Sequence, residues 1–259
     1  MKEITLGRDK NKKHKKENFL TSIIVIIFLA LLFRSFVVGS YNIPSGSMLR
    51  TLHEGDYIFV SKWAYGYSRH SLPFSIPIIP NRLFSNKPER GDVAVFKLPT
   101  DNRTDYIKRI IGLPGDTIQI VNGQVVLNGK TLEYNFKEDY QVNRFKNLKK
   151  TSQGCLNEKT IVYEEILPNG VSYEILNTFD NLPQDNTSVY RVPKDHYFLM
   201  GDNRDNSQDS RFLKKVGFVP FENLVGQAGI IFFSWHWKKV GKNLCLSNVK
   251  WNRAFKLIR

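Results

Sequence analysis

Three stretches of this chain carry residue types that could do covalent chemistry. The first is Ile43-Pro44-Ser45-Gly46-Ser47-Met48. Proline and glycine set a tight turn there, which lifts a serine hydroxyl out of the backbone and exposes a neighbouring N–H. Such an N–H is what an oxyanion needs. On its own, a Ser-Gly-Ser turn reads as a plain loop. The second stretch is Asp105-Tyr106-Ile107-Lys108-Arg109-Ile110-Ile111. Strand alternation puts Tyr106, Lys108 and Ile110 on one face and Ile107, Arg109 and Ile111 on the other. Lys108 is then flanked by large apolar groups. Burial disfavours its ammonium form and lowers its pKa from the ordinary ~10.4. A neutral amine takes a proton from a serine, so this pattern makes a general base. Judged alone, the same stretch also fits a snorkelling lysine.

The third stretch runs from Gly201 to Arg211 and contains Asp202, Arg204, Asp205, Ser207, Asp209 and Ser210. Its acids suggest a calcium loop. Ser207 replaces the required glycine, Leu213 stands where the closing acid belongs, and Arg204 and Arg211 would repel a cation. Asp–Arg pairs bracing a loop fit better. His53, His70, His196 and His236 are available for a Ser-His-Asp triad, but no G-x-S-x-G elbow accompanies them.

What must position these stretches is mostly β. After Tyr41 the chain runs in short strand-like segments: Tyr57–Trp63, Asp92–Leu98, Tyr106–Ile111, Thr117–Val121, Gln124–Leu127, Tyr197–Met200 and Gln227–Phe233. Turn sequences separate them, and Asn122-Gly123 signals a two-residue hairpin. The expectation is an antiparallel sheet or barrel core, residues 39–130 and 191–259, with a polar and less regular inserted cap over 131–190. Ahead of it lies one transmembrane helix, residues 19–38. Phe19–Phe33 carries no charge, and twenty positions at ~1.5 Å each match a bilayer core.

The chain has 259 residues, a formal net charge of +14 and 41% hydrophobic residues, which exclude a disordered chain. Two cysteines exclude a disulfide scaffold; whether Cys155 and Cys245 pair stays open. The charge gathers at the ends. Residues 1–18 hold seven basic side chains against three acids, and residues 238–259 hold seven and none. Terminal basic blocks beside apolar sequence suit an anionic membrane surface rather than nucleic acid. The basic flank predicts a cytoplasmic amino terminus, with everything after ~Gly39 across the membrane.

Taken in order, the motifs resemble bacterial signal peptidase I, the membrane-anchored leader peptidase. The matching residues are Ile43–Met48 with Thr51-Leu52 and Gly55-Asp56, then Arg90–Phe96, Asp105–Arg109, Gly112–Asp116, Gly201–Arg211 and Gly217–Pro220. They cover roughly residues 19–130 and 191–233. The resemblance implies a serine endopeptidase that removes signal peptides from secreted preproteins after small residues in an A-x-A pattern, at the inner membrane, without metal or cofactor. It implies Ser47 as nucleophile and Lys108 as general base, with the Ser47 N–H and Ser45 hydroxyl as oxyanion donors. Ser207 would orient the Lys108 amine, and Asp209 with Arg211 would brace the site. Tyr41, Ile43, Met48, Leu52, Ile58, Val95 and Ile107 would line pockets for substrate side chains, or serve as plain core. Partners implied are preproteins and membrane phospholipid; no feature specifies an oligomeric state. One departure is Arg50, where the family commonly has proline. Two rival readings are a self-cleaving repressor-type relative, opposed by the apolar span, and a tethered β-domain that only binds, opposed by the complete catalytic set.

Overall fold

The computed structural model describes residues 19, 21–27, 38–72, 75, 78–144, 156–179, 181–240 and 244–258. The strands, in order, are β1 (Val38–Asn42), β2 (Asp56–Ser61), β3 (Val93–Lys97), β4 (Asp105–Gly112), β5 (Thr117–Val121), β6 (Gln124–Leu127), β7 (Lys130–Thr131), β8 (Glu133–Arg144), β9 (Leu156–Ile166), β10 (Ser172–Asn177), β11 (Tyr190–Arg191), β12 (His196–Met200), β13 (Val219–Pro220), β14 (Leu224–Val240), β15 (Leu244–Val249) and β16 (Lys256–Leu257). The mostly β, antiparallel expectation holds. β5 and β6 form the hairpin announced by Asn122-Gly123, with Val121 opposite Gln124.

The main sheet runs β1-β2-β14-β3-β4-β12-β13, with β15 and β16 also pairing β14. β3 and β4 are consecutive and pair directly, Ala94 opposite Lys108. Packing follows the alternation of β4. Ile110 lies in a cluster with Ala94, Phe96 and Leu199, and Tyr106 packs against it. Ile107 packs instead on a cluster with Ile43, Met48 and Leu52. Ile111 joins Phe198, Ile118 and Tyr173. Fully burying side chains of this size stabilises the fold by about 1.5–3 kcal/mol each.

One expectation needs correction. The described residues of 131–190 are more regular than expected: β8, β9 and β10 form an antiparallel sheet of their own, order β10-β9-β8. Most of Glu133–Tyr140 is solvent-exposed on both sides of the strand, so the apolar–polar contrast that betrays a strand is missing and backbone pairing makes the element. Part of the basic tail belongs to the fold. β14 continues to Val240 and pairs with β15, and Arg253 is buried against Asp56.

The span expected over 19–38 falls largely outside the described residues. Residues 19 and 21–27 are helical, with Ile24, Ile26 and Ile27 each more than half exposed. Among the described residues no helix is long and apolar enough to cross a membrane. Pro73, Phe74, Ile76 and Pro77 also lie outside the described residues, as does Cys155.

Candidate active site

Ser47 sits in the middle of a single 3-10 turn, Gly46–Met48, entered from extended backbone at Ser45. The first N–H groups of a helical turn have no acceptor within it, so the sequence Pro-Ser-Gly-Ser bares a donor beside the Ser47 hydroxyl. The turn is pinned from below. Asn203 donates its backbone N–H to the Ser47 carbonyl at 3.2 Å and its side-chain amide to the Gly46 carbonyl at 2.9 Å.

Lys108 reaches this turn from the centre of β4. Its Nζ lies 2.6 Å from Ser47 Oγ and donates to the Ile107 carbonyl at 2.8 Å. The residue is only 3% exposed. Burial lowers the amine to about 8, opposed by the charges of Asp209 and Asp202 and reinforced by Arg211. Ser45 is exposed and its Oγ lies 3.4 Å from Ser47 Oγ. Among the described residues, Lys108 and Ser45 are the hydrogen-bond partners of Ser47 Oγ, and no histidine reaches it.

The loop after β12 supplies the support. Arg211 grips Asp209 through Nε at 2.8 Å and Nη2 at 2.9 Å. Burial pushes the Asp209 carboxyl up, but the Arg211 charge, a Gly201 N–H and the Ser207 hydroxyl hold it below the ordinary range. Ser207 is buried beside Asp209, and its Oγ has no well-aligned partner. The geometry thus sets Ser207 next to the brace rather than in hydrogen-bond contact with Lys108.

The other acids of the loop are also engaged. Asp202 receives two bonds from buried Arg109, at 2.9 and 2.7 Å. Asp205 accepts the N–H groups of Thr178 and Phe179. Arg204 pairs with buried Glu165 of β9 at 2.7 Å. The Asp–Arg reading therefore applies, but two of the pairs run to distant strands. The sequence reading assigns no role to Arg109, Asn203 or Glu165. Arg109 stood in the quoted motif, and alternation had already turned it away from Lys108.

The expected pocket residues fall into two groups. Ile43, Met48, Leu52, Ile58 and Val95 are fully buried in one cluster, and only Tyr41 and Ile107 keep exposed surface against it. Glycine at 201 is required by close approach: a methyl group there would stand 2.5 Å from the Ser47 carbonyl oxygen. Arg50 adopts φ +90°. That left-handed conformation is closed to proline, whose ring holds φ near −65°, and it costs other residues of order 1–3 kcal/mol. Proline therefore has no place at position 50 in this turn as it is folded.

Known proteins resemble the chain over nearly all of these elements. The family described as signal peptidase, peptidase S26, matches residues 16–235. A signal peptidase I of Rickettsia typhi is 39% identical over 269 residues, covering 98% of this chain and 96% of its own. That of Rickettsia akari is 40% identical over 262 residues, covering 96% and 92%. These alignments extend through the middle and the tail, beyond the reach of the short motifs. A crystal structure of a signal peptidase I from Enterococcus faecalis matches 55% of this chain and 97% of its own at 30% identity, with a TM-score of 0.30. With a family match over most of its length and near-full-length relatives at about two-fifths identity, the chain belongs to the signal peptidase family, peptidase S26, and is a serine-type peptidase, a hydrolase.

Proposed function

We infer that the chain removes amino-terminal signal peptides from preproteins by acyl transfer at Ser47, with Lys108 as general base. The observation that carries this reading is the 2.6 Å contact between Ser47 Oγ and an amine lowered by burial to about 8. The neutral amine takes the Ser47 proton as Oγ attacks the scissile carbonyl. The Ser47 N–H and the Ser45 hydroxyl receive the developing oxyanion, at about 3 kcal/mol per donor. Protonated Lys108 then gives its proton to the leaving amine, and water releases the acyl group by the reverse steps.

An extended substrate has a natural place to lie. β12 pairs with β4 at residues 109–112, and among the described residues no strand pairs with the 105–108 half of that edge, which leaves it for an added strand beside Lys108. Cleavage after small residues follows if Tyr41 and Ile107, backed by the buried cluster, leave shallow hollows. The chain is anchored by the apolar segment that starts at Phe19 and ends before Val38, which already pairs with Ser61 in the sheet, with the amino terminus cytoplasmic and the catalytic domain on the outer face of the inner membrane. The exposed apolar helix at 21–27 supports that placement. Trp63, Ile78 and Phe84, at 57%, 72% and 83% exposure, support contact with phospholipid.

The deciding experiment replaces Ser47 by Ala and assays preprotein cleavage in membranes. Cleavage should fall to background; a binding domain without catalysis would keep its function. Protease added outside spheroplasts should digest the chain beyond Tyr41 and spare Lys2–Lys16; digestion of that basic segment from outside would refute the topology.

A further inference from the structure

Arg50 stands three residues after Ser47, in the five-residue turn closed by the Leu52 N–H and the Met48 carbonyl at 2.7 Å. Its φ of +90° is one that a side-chain-bearing residue holds only when its surroundings enforce it. The enforcement comes from another sheet. Arg50 Nε donates to Glu174 Oε2 at 2.7 Å, and Nη2 donates to Glu138 Oε1 at 3.0 Å. The guanidinium also lies 4.8 Å from the centre of the Tyr140 ring. Glu138 and Tyr140 belong to β8 and Glu174 to β10, so all three contacts are with the inserted sheet. On the other side the next residue, Thr51, donates to Asp202 at 2.5 Å and accepts from Arg109 at 3.2 Å. The turn that carries Ser47 is thus gripped from both sides, and among the described residues the grip on the Arg50 side chain comes from β8 and β10.

We propose that Arg50 is a positioning residue: its fork onto Glu138 and Glu174 holds the left-handed turn, and through it Ser47 Oγ against Lys108, so that the inserted sheet sets the turnover rate. The proposal rests on the reading of Ser47 as nucleophile. A planar fork spanning two carboxylates is arginine geometry, which lysine does not reproduce. Glycine would accept the same φ without strain but supplies no tether.

The test uses the full chain in detergent or vesicles, with a preprotein substrate. Glu138 and Glu174 are the informative sites, because their side chains are 54% and 42% exposed and their loss leaves the core untouched. Glu138→Gln combined with Glu174→Gln should lower kcat roughly ten-fold with KM and the urea midpoint unchanged, as expected when a reacting atom is misplaced by a fraction of an ångström. Arg50→Ala and Arg50→Lys should lose a similar factor. Combining Arg50→Ala with the two carboxylate changes should lose no more, since the residues act as one unit. Wild-type kcat in the carboxylate double variant, a loss confined to KM, or losses that multiply would each overturn the proposal. Ser47→Ala, run in parallel, should be inactive; if it cleaved, the nucleophile reading itself would fall, a failure distinct from that of the tether.

Discussion

Lys108 Nζ and Ser47 Oγ lie 2.6 Å apart across 61 residues of sequence, and the lysine is buried as it meets the serine. Only the deprotonated amine accepts a proton, so cleavage should rise as pH climbs through about 8 and fall below it. Lys108→Arg should abolish cleavage in a folded protein, because a guanidinium stays charged. A pH–rate series on preprotein cleavage, run beside the arginine variant, checks both; a flat profile or an active arginine variant counts against this base.

The same burial should cost stability. The folded amine is depressed below its unfolded value. Below about pH 8 both states are protonated and the fold bears the full penalty; the penalty fades as pH rises through the unfolded ~10.4. Lys108→Met should therefore raise stability at neutral pH by about 3 kcal/mol while eliminating activity. Urea unfolding at pH 7 and pH 10 should show the gain shrinking at the higher pH.

Gly201→Ala should inactivate the enzyme more than it unfolds it. The added methyl meets the Ser47 carbonyl oxygen and the Ser207 side chain. Relief requires shifting the turn away from Lys108, and displacements of about 1 Å cost roughly a hundred-fold in rate. Steady-state kinetics with a circular-dichroism melt would separate the two effects; an active Gly201→Ala protein would mean that the turn is softer than its packing implies.

Arg253 latches the tail onto the turn after Leu52. It bonds both oxygens of buried Asp56 and donates to the Thr51 carbonyl at 3.1 Å. Removing one partner of a buried pair leaves an uncompensated charge, so Arg253→Ala should lose about 3–5 kcal/mol in urea unfolding. Burial pushes the Asp56 carboxyl up, but Arg253, the His53 N–H and the Ser234 hydroxyl bring it below its ordinary value. A depressed carboxyl stabilises the fold above the unfolded ~3.9, and that contribution is lost as pH falls through the folded value. Asp56→Asn should flatten this acid limb.

Much of the site was legible because its residues sit in short, locally determined segments. Pro44 and Gly46 dictate a turn wherever the chain goes, and period-two alternation around Lys108 assigns its apolar face before any sheet exists. Asn122-Gly123 specifies its hairpin by backbone preference alone. The inserted sheet escaped because β8 shows solvent-exposed residues on both faces, so no apolar period marks it.

What the sequence determined, then, is the β character of the core, the family and the two residues, Ser47 and Lys108, proposed as the catalytic pair. Local conformation and residue chemistry suffice for these. Tertiary structure alone decided which charges meet: Asp202 with Arg109, Arg204 with Glu165, Arg253 with Asp56, and Arg50 with Glu138 and Glu174. A charged side chain carries no mark of its partner in the sequence. The partner is chosen by which strands the backbone hydrogen bonds bring side by side, and by the need of each buried charge for an opposite one within a few ångströms.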